Sequence, residues 1–230
     1  MNIVVCIKQV PDTTEIKIDP VKGTLIRDGV PSIMNPDDKG GLELALRMKD
    51  SCGANVTVIT MGPPQAELIL REAMAMGADR AILLTDRKFA GADTLATSYA
   101  LAGAMKTMDY DLIIAGRQAI DGDTAQVGPE MAEHLDIPQV SYVIDAQRLE
   151  NGNLLVKKES EESIQTLEVE GKCLLTVLAS AFDARYMTVS GIVEAYDKEV
   201  EIWSAEKIDV DETKLGLKGS PTKVFQSFPK

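Results

Sequence analysis

The chain has 230 residues, 45% of them hydrophobic and 26% charged, which is the composition of a globular protein with room for one domain and a docking extension. Its formal net charge of −12 argues against nucleic acid and against anionic membranes as partners. With 3 scattered cysteines and 1 histidine, the sequence lacks the material for a zinc site or a histidine-based catalytic triad.

The first half of the chain alternates strand patterns with helix patterns. Continuous apolar runs predict buried strands over residues 3–7, 56–61, 81–84 and 111–115. Helical spacing separates these runs, and Gly53, Gly62, Gly77 and Asp93 mark helix boundaries. Residues 8–36 are rich in proline and glycine and predict a long excursion with a small hairpin. The alternation predicts right-handed βαβ units and a doubly wound, mostly parallel α/β sheet.

The pattern changes after Pro138. Residues 142–148 and 154–158 predict a hairpin around Asn151-Gly152, a pair that favours a type I′ turn. Two more strands are predicted over residues 164–169 and 173–178, so the second half is expected to add antiparallel strands. From about Ser190 the periodicity is lost. We therefore predict a nucleotide-binding α/β domain over residues 1–190 and a C-terminal docking arm over residues 191–230 that packs on another chain.

Two absences bear on location. No apolar run reaches the roughly 20 residues of a membrane span, and the N-terminus begins with a strand pattern rather than a signal peptide. The unclustered cysteines suit free thiols in a reducing compartment. We expect a cytoplasmic protein without membrane insertion.

The loop over residues 116–129 is the most informative stretch, because it joins a buried strand to a helix. Ligands of doubly wound sheets bind at the carboxyl ends of strands, and N–H groups at a helix start favour phosphate. Gly122 would allow a positive φ or a close backbone approach, Arg117 would supply positive charge, and Asp123 or Thr124 would cap the helix. A capped connection without a ligand is the alternative, since the loop matches neither common phosphate-binding pattern.

Two other strand ends are expected at the same edge, closed by Cys6 and Met61. The segment Asn35-Pro36-Asp37-Asp38 opens the helix before the second strand, and its side-chain oxygens could reach an adenine or a ribose. Plain helix capping by these polar residues is the favoured alternative from spacing alone.

Four segments together resemble the β subunit of electron transfer flavoproteins over nearly the whole chain. They are residues 5–12 (VCIKQVPD), 34–38 (MNPDD), 75–80 (AMGADR) and the loop 116–129. The resemblance implies an adenine nucleotide α-hydrolase-like α/β fold and a heterodimer with an α subunit that holds its own FAD. In this family the β subunit binds either AMP or a second FAD.

The loop also indicates which cofactor is bound. The family's AMP-binding loop usually reads Gly-Lys-Gln-Ala-Ile-Asp-Asp-Asp, whereas Gly122 here stands between Asp121 and Asp123. That version resembles the electron-bifurcating members, in which FAD replaces AMP. The resemblance implies FAD, with AMP as the alternative, and NADH as the electron donor. It also implies electron transfer to ferredoxin or flavodoxin and, through the α-subunit FAD, to a flavin-dependent dehydrogenase.

No residue is expected to act as a general acid or base, so the expected site residues are cofactor-binding residues. A nucleotide-binding stress sensor is the alternative from another functional class. The cofactor-binding residues that the resemblance implies are Cys6, Asn35, Pro36, Asp37, Asp38, Met61, Gly116, Arg117, Gln118, Ala119, Ile120, Asp121, Gly122, Asp123, Thr124, Ala125, Gln126 and Val127.

Overall fold

The computed structural model describes residues 1–12 and 31–223. The interior of the predicted excursion, residues 13–30, and the end of the predicted arm lie outside the described residues. The strands are β1 (Asn2–Cys6), β2 (Gln9–Pro11), β3 (Ser32–Met34), β4 (Asn55–Met61), β5 (Arg80–Leu84), β6 (Leu112–Gly116), β7 (Gln139–Arg148), β8 (Leu154–Glu159), β9 (Ile164–Val169), β10 (Cys173–Val177) and β11 (Val200–Trp203). The helices are α1 (Pro36–Cys52), α2 (Glu67–Met76), α3 (Thr94–Met105), α4 (Val127–Leu135), α5 (Val189–Asp197) and α6 (Gly216–Gly219).

A nine-stranded sheet forms the centre of the fold, in the order β11-β5-β4-β1-β6-β10-β7-β8-β9. The strands from β11 to β7 are parallel, and β8 and β9 continue the sheet antiparallel. The chain runs from β1 outward to β4 and β5, then returns to place β6 on the other side of β1. The strand order therefore switches between β1 and β6, which confirms the doubly wound α/β class.

Helices cover both faces of the parallel strands, which explains why these strands are apolar without alternation. Ile3 and Val5 of β1 pack with α1 and α2, whereas Val4 and Cys6 pack with α3 and α4. The predicted helix boundaries are confirmed at the end of α1 and at the start of α3. Gly53 closes α1 in the left-handed conformation, and Asp93 caps α3 by accepting a hydrogen bond from the backbone of Ala96.

The small hairpin predicted within residues 8–36 is present as β2 paired with β3. The predicted type I′ turn is wrong, because Gly152 has a positive φ of 90° and Asn151 does not. The second half does add the antiparallel strands β8 and β9. However, β10 is parallel and lies between β6 and β7, which the sequence did not predict.

Although the periodicity of the sequence is lost from about Ser190, regular secondary structure continues. Helix α5 packs on α2 through Ala195, and β11 joins the sheet beside β5. Strand β11 was missed because it has only four residues, VEIW, two of which are not buried. The docking role of residues 191–230 stays a prediction. Among the helices of the described residues, none is both long and apolar enough to cross a membrane.

Candidate cofactor site

The loop from Gly116 to Val127 leaves the carboxyl end of β6 next to the switch point of the sheet. Its first part is anchored to β10, because the N–H of Arg117 donates to the carbonyl of Val177. It then turns back on itself, with the N–H groups of Gly122 and Asp123 both donating to the carbonyl of Ala119. The loop therefore lies at the carboxyl edge of the sheet, as predicted.

The end of the loop has an unusual backbone conformation. Asp123 and Ala125 have φ values of 52° and 53°, whereas Gly122 is not in the left-handed region, so the expected positive φ falls on its neighbours. The expected capping of α4 by Asp123 or Thr124 is also wrong. Gln126 occupies the N-cap position without a side-chain hydrogen bond. The carboxylate of Asp123 accepts from the Gln118 side-chain amide instead.

This conformation makes the start of α4 suitable for an anion. Ala125 is left-handed and Gln126, with φ −106° and ψ −35°, is right-handed. Such a pair directs successive N–H groups into one concavity, and here it leads directly into the first turn of α4. The helix dipole adds a positive potential at the same place. A left-handed alanine costs roughly 1 kcal/mol, and such strain is concentrated at functional sites.

Asn35 connects the start of α1 to the loop. Its side-chain amide donates to the carbonyl of Gln118 over 2.8 Å, and its oxygen accepts from the N–H of Ile120 over 3.1 Å. Asn35 is fully buried and makes no capping hydrogen bond to α1, so plain capping is the wrong explanation for it. Pro36 follows as the first residue of α1, where a missing N–H is tolerated.

Asp37 joins the loop to the segment that follows β10. One oxygen accepts from the N–H of Ala179 over 2.9 Å. The other accepts from the N–H of Gln118 and from Nε of Arg117, each over 3.3 Å. The side chain thus cross-links two loops at the carboxyl edge rather than capping its own helix.

Asp38 lies between the ends of β1 and β6. Its two oxygens accept from the N–H groups of Lys8, over 2.7 Å, and of Gly116, over 3.0 Å. Burial, with a smaller contribution from the charge of Asp37, raises the pKa of Asp38 to about 7 despite these hydrogen bonds. Gly116 has no room for a side chain, since a Cβ would meet Oδ1 of Asp38 and lie 2.7 Å from its backbone nitrogen.

The chain matches the electron transfer flavoprotein domain family over residues 22–208. It belongs to this family. The electron transfer flavoprotein subunit beta of Clostridium acetobutylicum is 61% identical over 230 residues, which cover 100% of this chain and 88% of that protein. The caffeyl-CoA reductase-Etf complex subunit CarD of Acetobacterium woodii is 54% identical over 99% of this chain and 87% of its own length.

A third relative is the acryloyl-CoA reductase electron transfer subunit gamma of Anaerotignum propionicum, 46% identical over 99% of this chain and 88% of its own length. These matches confirm the resemblance to the electron transfer flavoprotein β subunit and place the chain among electron-transfer proteins. They also decide against the stress-sensor alternative.

Cys6 and Met61 close β1 and β4 at the carboxyl edge, as expected from their strand ends. Cys6 is buried, and burial together with the charge of Asp38 raises the pKa of its thiol to about 12. The thiol therefore stays protonated, so Cys6 can contribute its backbone but not a thiolate. Met61 is partly buried against the apolar cluster on the α3 and α4 side.

The structure adds Lys8 to the residues at the site. Its Nζ lies 2.6 Å from Oδ1 of Asp121, and 47% of its side chain is exposed. Lys8 directly follows the buried run of β1, and its position at a strand end was the signal that could have identified it. Within the loop, Ile120, Thr124 and Gln126 are exposed, and their contact with a cofactor stays a prediction.

Proposed function

We propose that this β subunit binds FAD at the carboxyl ends of β1, β4 and β6 and forms a heterodimer with an α subunit that holds its own FAD. In that complex, electrons pass from NADH to a low-potential acceptor, ferredoxin or flavodoxin. They also pass through the α-subunit FAD to a flavin-dependent dehydrogenase.

The choice of FAD as the cofactor depends on Gly122. Among the described residues, no atom outside Gly122 and its two chain neighbours lies within 4 Å of the position that a Cβ at residue 122 would take, and the residue is not left-handed. The described fold therefore gives no steric or conformational reason for a glycine there. A ligand that approaches the backbone closely supplies the missing reason. Gly116 differs, since its lack of a side chain is explained by the packing of α1 against it.

The residues present fit a pyrophosphate. The N–H groups around Ala125 and Gln126 and the start of α4 provide one anion site, while Arg117 and Lys8 provide two cations at the same edge of the sheet. Arg117 and Lys8 face Asp37 and Asp121, so bound phosphate would compete for them with carboxylates. When bound, FAD would supply the redox chemistry, and the residues of this chain would bind it, orient it and exclude water.

AMP is the second candidate. The concavity of Ala125 and Gln126 is a single anion site, which favours a ligand with a single phosphate. Both cations also have carboxylate partners already, so one phosphate needs less rearrangement than two.

The exposed apolar residues at α5 support a protein partner. Tyr186, Val189, Val193 and Tyr196 are apolar or aromatic, yet 96%, 82%, 60% and 66% of their surfaces are exposed. Exposed large apolar side chains clustered along one short segment favour a docking site. Two relatives are named after caffeyl-CoA and acryloyl-CoA reductases, and they support a partner dehydrogenase that acts on a CoA ester.

The test is to produce the chain with its α subunit, count flavins per heterodimer by absorbance, and measure AMP released on denaturation. We expect two flavins, no AMP, and direct reduction by NADH. Gly122→Asp should remove one flavin, because it places a charged side chain beside the pyrophosphate. Gly122→Ala is the matched control and should retain more of the second flavin. One flavin with stoichiometric AMP in the unmodified heterodimer would refute the FAD proposal and establish the AMP alternative.

A further inference from the structure

Strands β1 and β6 separate at the carboxyl edge. Their residues pair from Ile3 with Leu112 to Val5 with Ile114. Beyond this point the carboxylate of Asp38 occupies the opening and accepts from the N–H of Lys8 on one side and of Gly116 on the other. One side chain therefore replaces the backbone hydrogen bonds that would otherwise hold the two strand ends together.

This carboxylate is buried, with 7% of the residue exposed, and it forms no salt bridge within the described residues. The titratable groups that face it are Cys6 of β1 and Asp37 of α1. Lys8 donates its backbone N–H to it, and Arg117 contacts Asp37 rather than Asp38. Lys8 pairs with Asp121 and Arg117 with Asp37, so both cations are turned to other carboxylates.

The two strand ends that Asp38 holds carry the two sides of the candidate cofactor site. Lys8, whose ammonium group pairs with Asp121, follows β1, and the loop with the left-handed Ala125 follows Gly116. The ionised carboxylate accepts both hydrogen bonds strongly, whereas protonation turns one oxygen into a hydroxyl, which donates and is a much weaker acceptor. The separation of the two sides thus depends on an acceptor at both oxygens.

We propose that Asp38 is a positioning residue for the cofactor: its carboxylate holds Lys8 and the loop from Gly116 to Val127 at the separation that the bound nucleotide requires. Asp38 acts through the backbone of these two residues and not by touching the cofactor. The proposal rests on the proposed function, because it takes this edge of the sheet as the nucleotide site.

The test is a titration of FAD into the heterodimer depleted of flavin at this site, from about pH 6 to about pH 8. We expect the Kd of the unmodified protein to rise as the pH falls through about 7, because the protonated carboxyl holds only one strand end. Asp38→Asn should raise the Kd about tenfold at pH 8 and remove the pH dependence. A Kd that falls at low pH would mean simple charge repulsion between Asp38 and the pyrophosphate, and it would overturn the proposal.

Asp111→Asn is the matched control. Asp111 bridges the same two strands at their opposite ends, where its carboxylate accepts from the N–H of Asn2 over 2.7 Å. This variant should keep the Kd and its pH profile. An equal change in both variants would reduce Asp38 to a purely structural role and refute the positioning proposal.

Two further arms keep the outcome decisive. If the heterodimer holds AMP, the FAD proposal fails, but the difference in pH profile between the unmodified protein and Asp38→Asn still tests Asp38, since the phosphate of AMP titrates equally in both.

If Asp38→Asn does not fold, amide exchange in the unmodified protein replaces it. Protection of the N–H groups of Lys8 and Gly116, corrected for intrinsic rates, should fall below about pH 7 while that of Asn2 does not. Unchanged protection would overturn the proposal.

Discussion

The amino and carboxyl edges of the parallel sheet both use carboxylates to accept from strand N–H groups and both contain a left-handed residue, but the residues differ in burial and type. At the amino edge, the exposed carboxylates of Asp79 and Asp111 accept hydrogen bonds from strand N–H groups, and Gly53 supplies a left-handed residue. At the carboxyl edge, the buried Asp38 makes the same kind of hydrogen bond, and Ala125 takes up the left-handed conformation. Of these five residues, the two in unfavourable states, the buried Asp38 and the left-handed Ala125, lie at the edge of the candidate cofactor site, as expected when stability is exchanged for function.

The largest expected difference between the edges is the pH dependence that the buried Asp38 contributes at the carboxyl edge. The folded-state pKa of Asp38, about 7, lies above the unfolded value, so the folded protein binds more protons between about pH 4 and 7. The free energy of unfolding should therefore decrease as the pH rises through this window, by on the order of 4 kcal/mol from this group alone.

Urea unfolding at several pH values measures this contribution as the difference between the unmodified protein and Asp38→Asn. Asp111→Asn should keep the pH dependence of the unmodified protein. If Asp38→Asn has the same slope as the unmodified protein, the carboxyl edge does not hold a destabilised acid.

The second-largest effect on the free energy of unfolding is expected from crowding at Gly116, at the carboxyl edge. Gly116→Ala places a Cβ against the carboxylate of Asp38 and 2.8 Å from the carbonyl carbon of Asp37, where backbone cannot move aside easily. We expect a loss of about 3 kcal/mol in the free energy of unfolding. Gly122→Ala, at an open position of the same loop, should stay within about 0.5 kcal/mol of the unmodified protein. Equal effects of the two substitutions would contradict the packing of α1 against Gly116.

The amino edge should respond differently when its glycine is replaced. Gly53 ends α1 with a φ of 68°, and no described atom lies within 4 Å of a Cβ there, so Gly53→Ala would be strained but not crowded. We expect a loss of about 1 kcal/mol, measured by urea unfolding. A gain in stability would show that the left-handed conformation is not required.

The smallest effect is expected from Ala125→Gly at the carboxyl edge, the reverse of the Gly53→Ala substitution. Ala125→Gly relieves the left-handed alanine and should raise the free energy of unfolding by about 0.5 kcal/mol, since the loss of strain exceeds the added chain entropy. Cofactor binding should weaken by about threefold, because the looser backbone must be ordered on binding. Thermal unfolding and a cofactor titration check the two parts, with Gly53→Ala as the control of opposite sign. Tighter binding would contradict a preorganised loop.

Local sequence patterns predict some features of the carboxyl edge and not others, for a physical reason. Strand ends and the loop after Gly116 were predicted, because buried parallel strands are apolar over their whole length and ligands gather at their carboxyl ends. The partners of Asn35, Asp37 and Asp38 were not. Asp38 reaches N–H groups that are 30 and 78 positions away in the chain, and no local pattern encodes such pairs.

The sequence by itself determined the alternation of strands and helices, several helix boundaries and the family, because these depend on periodicity, caps and local motifs within short windows. Only the tertiary structure decided that β10 enters between β6 and β7 and that β11 becomes the outer strand beside β5. It also decided that the polar side chains at the start of α1 accept from the backbone of neighbouring segments. Such choices depend on burial and on which N–H groups remain unpaired once the sheet has assembled. A buried carboxylate such as Asp38 must satisfy its oxygens with whatever donors the assembled fold leaves there.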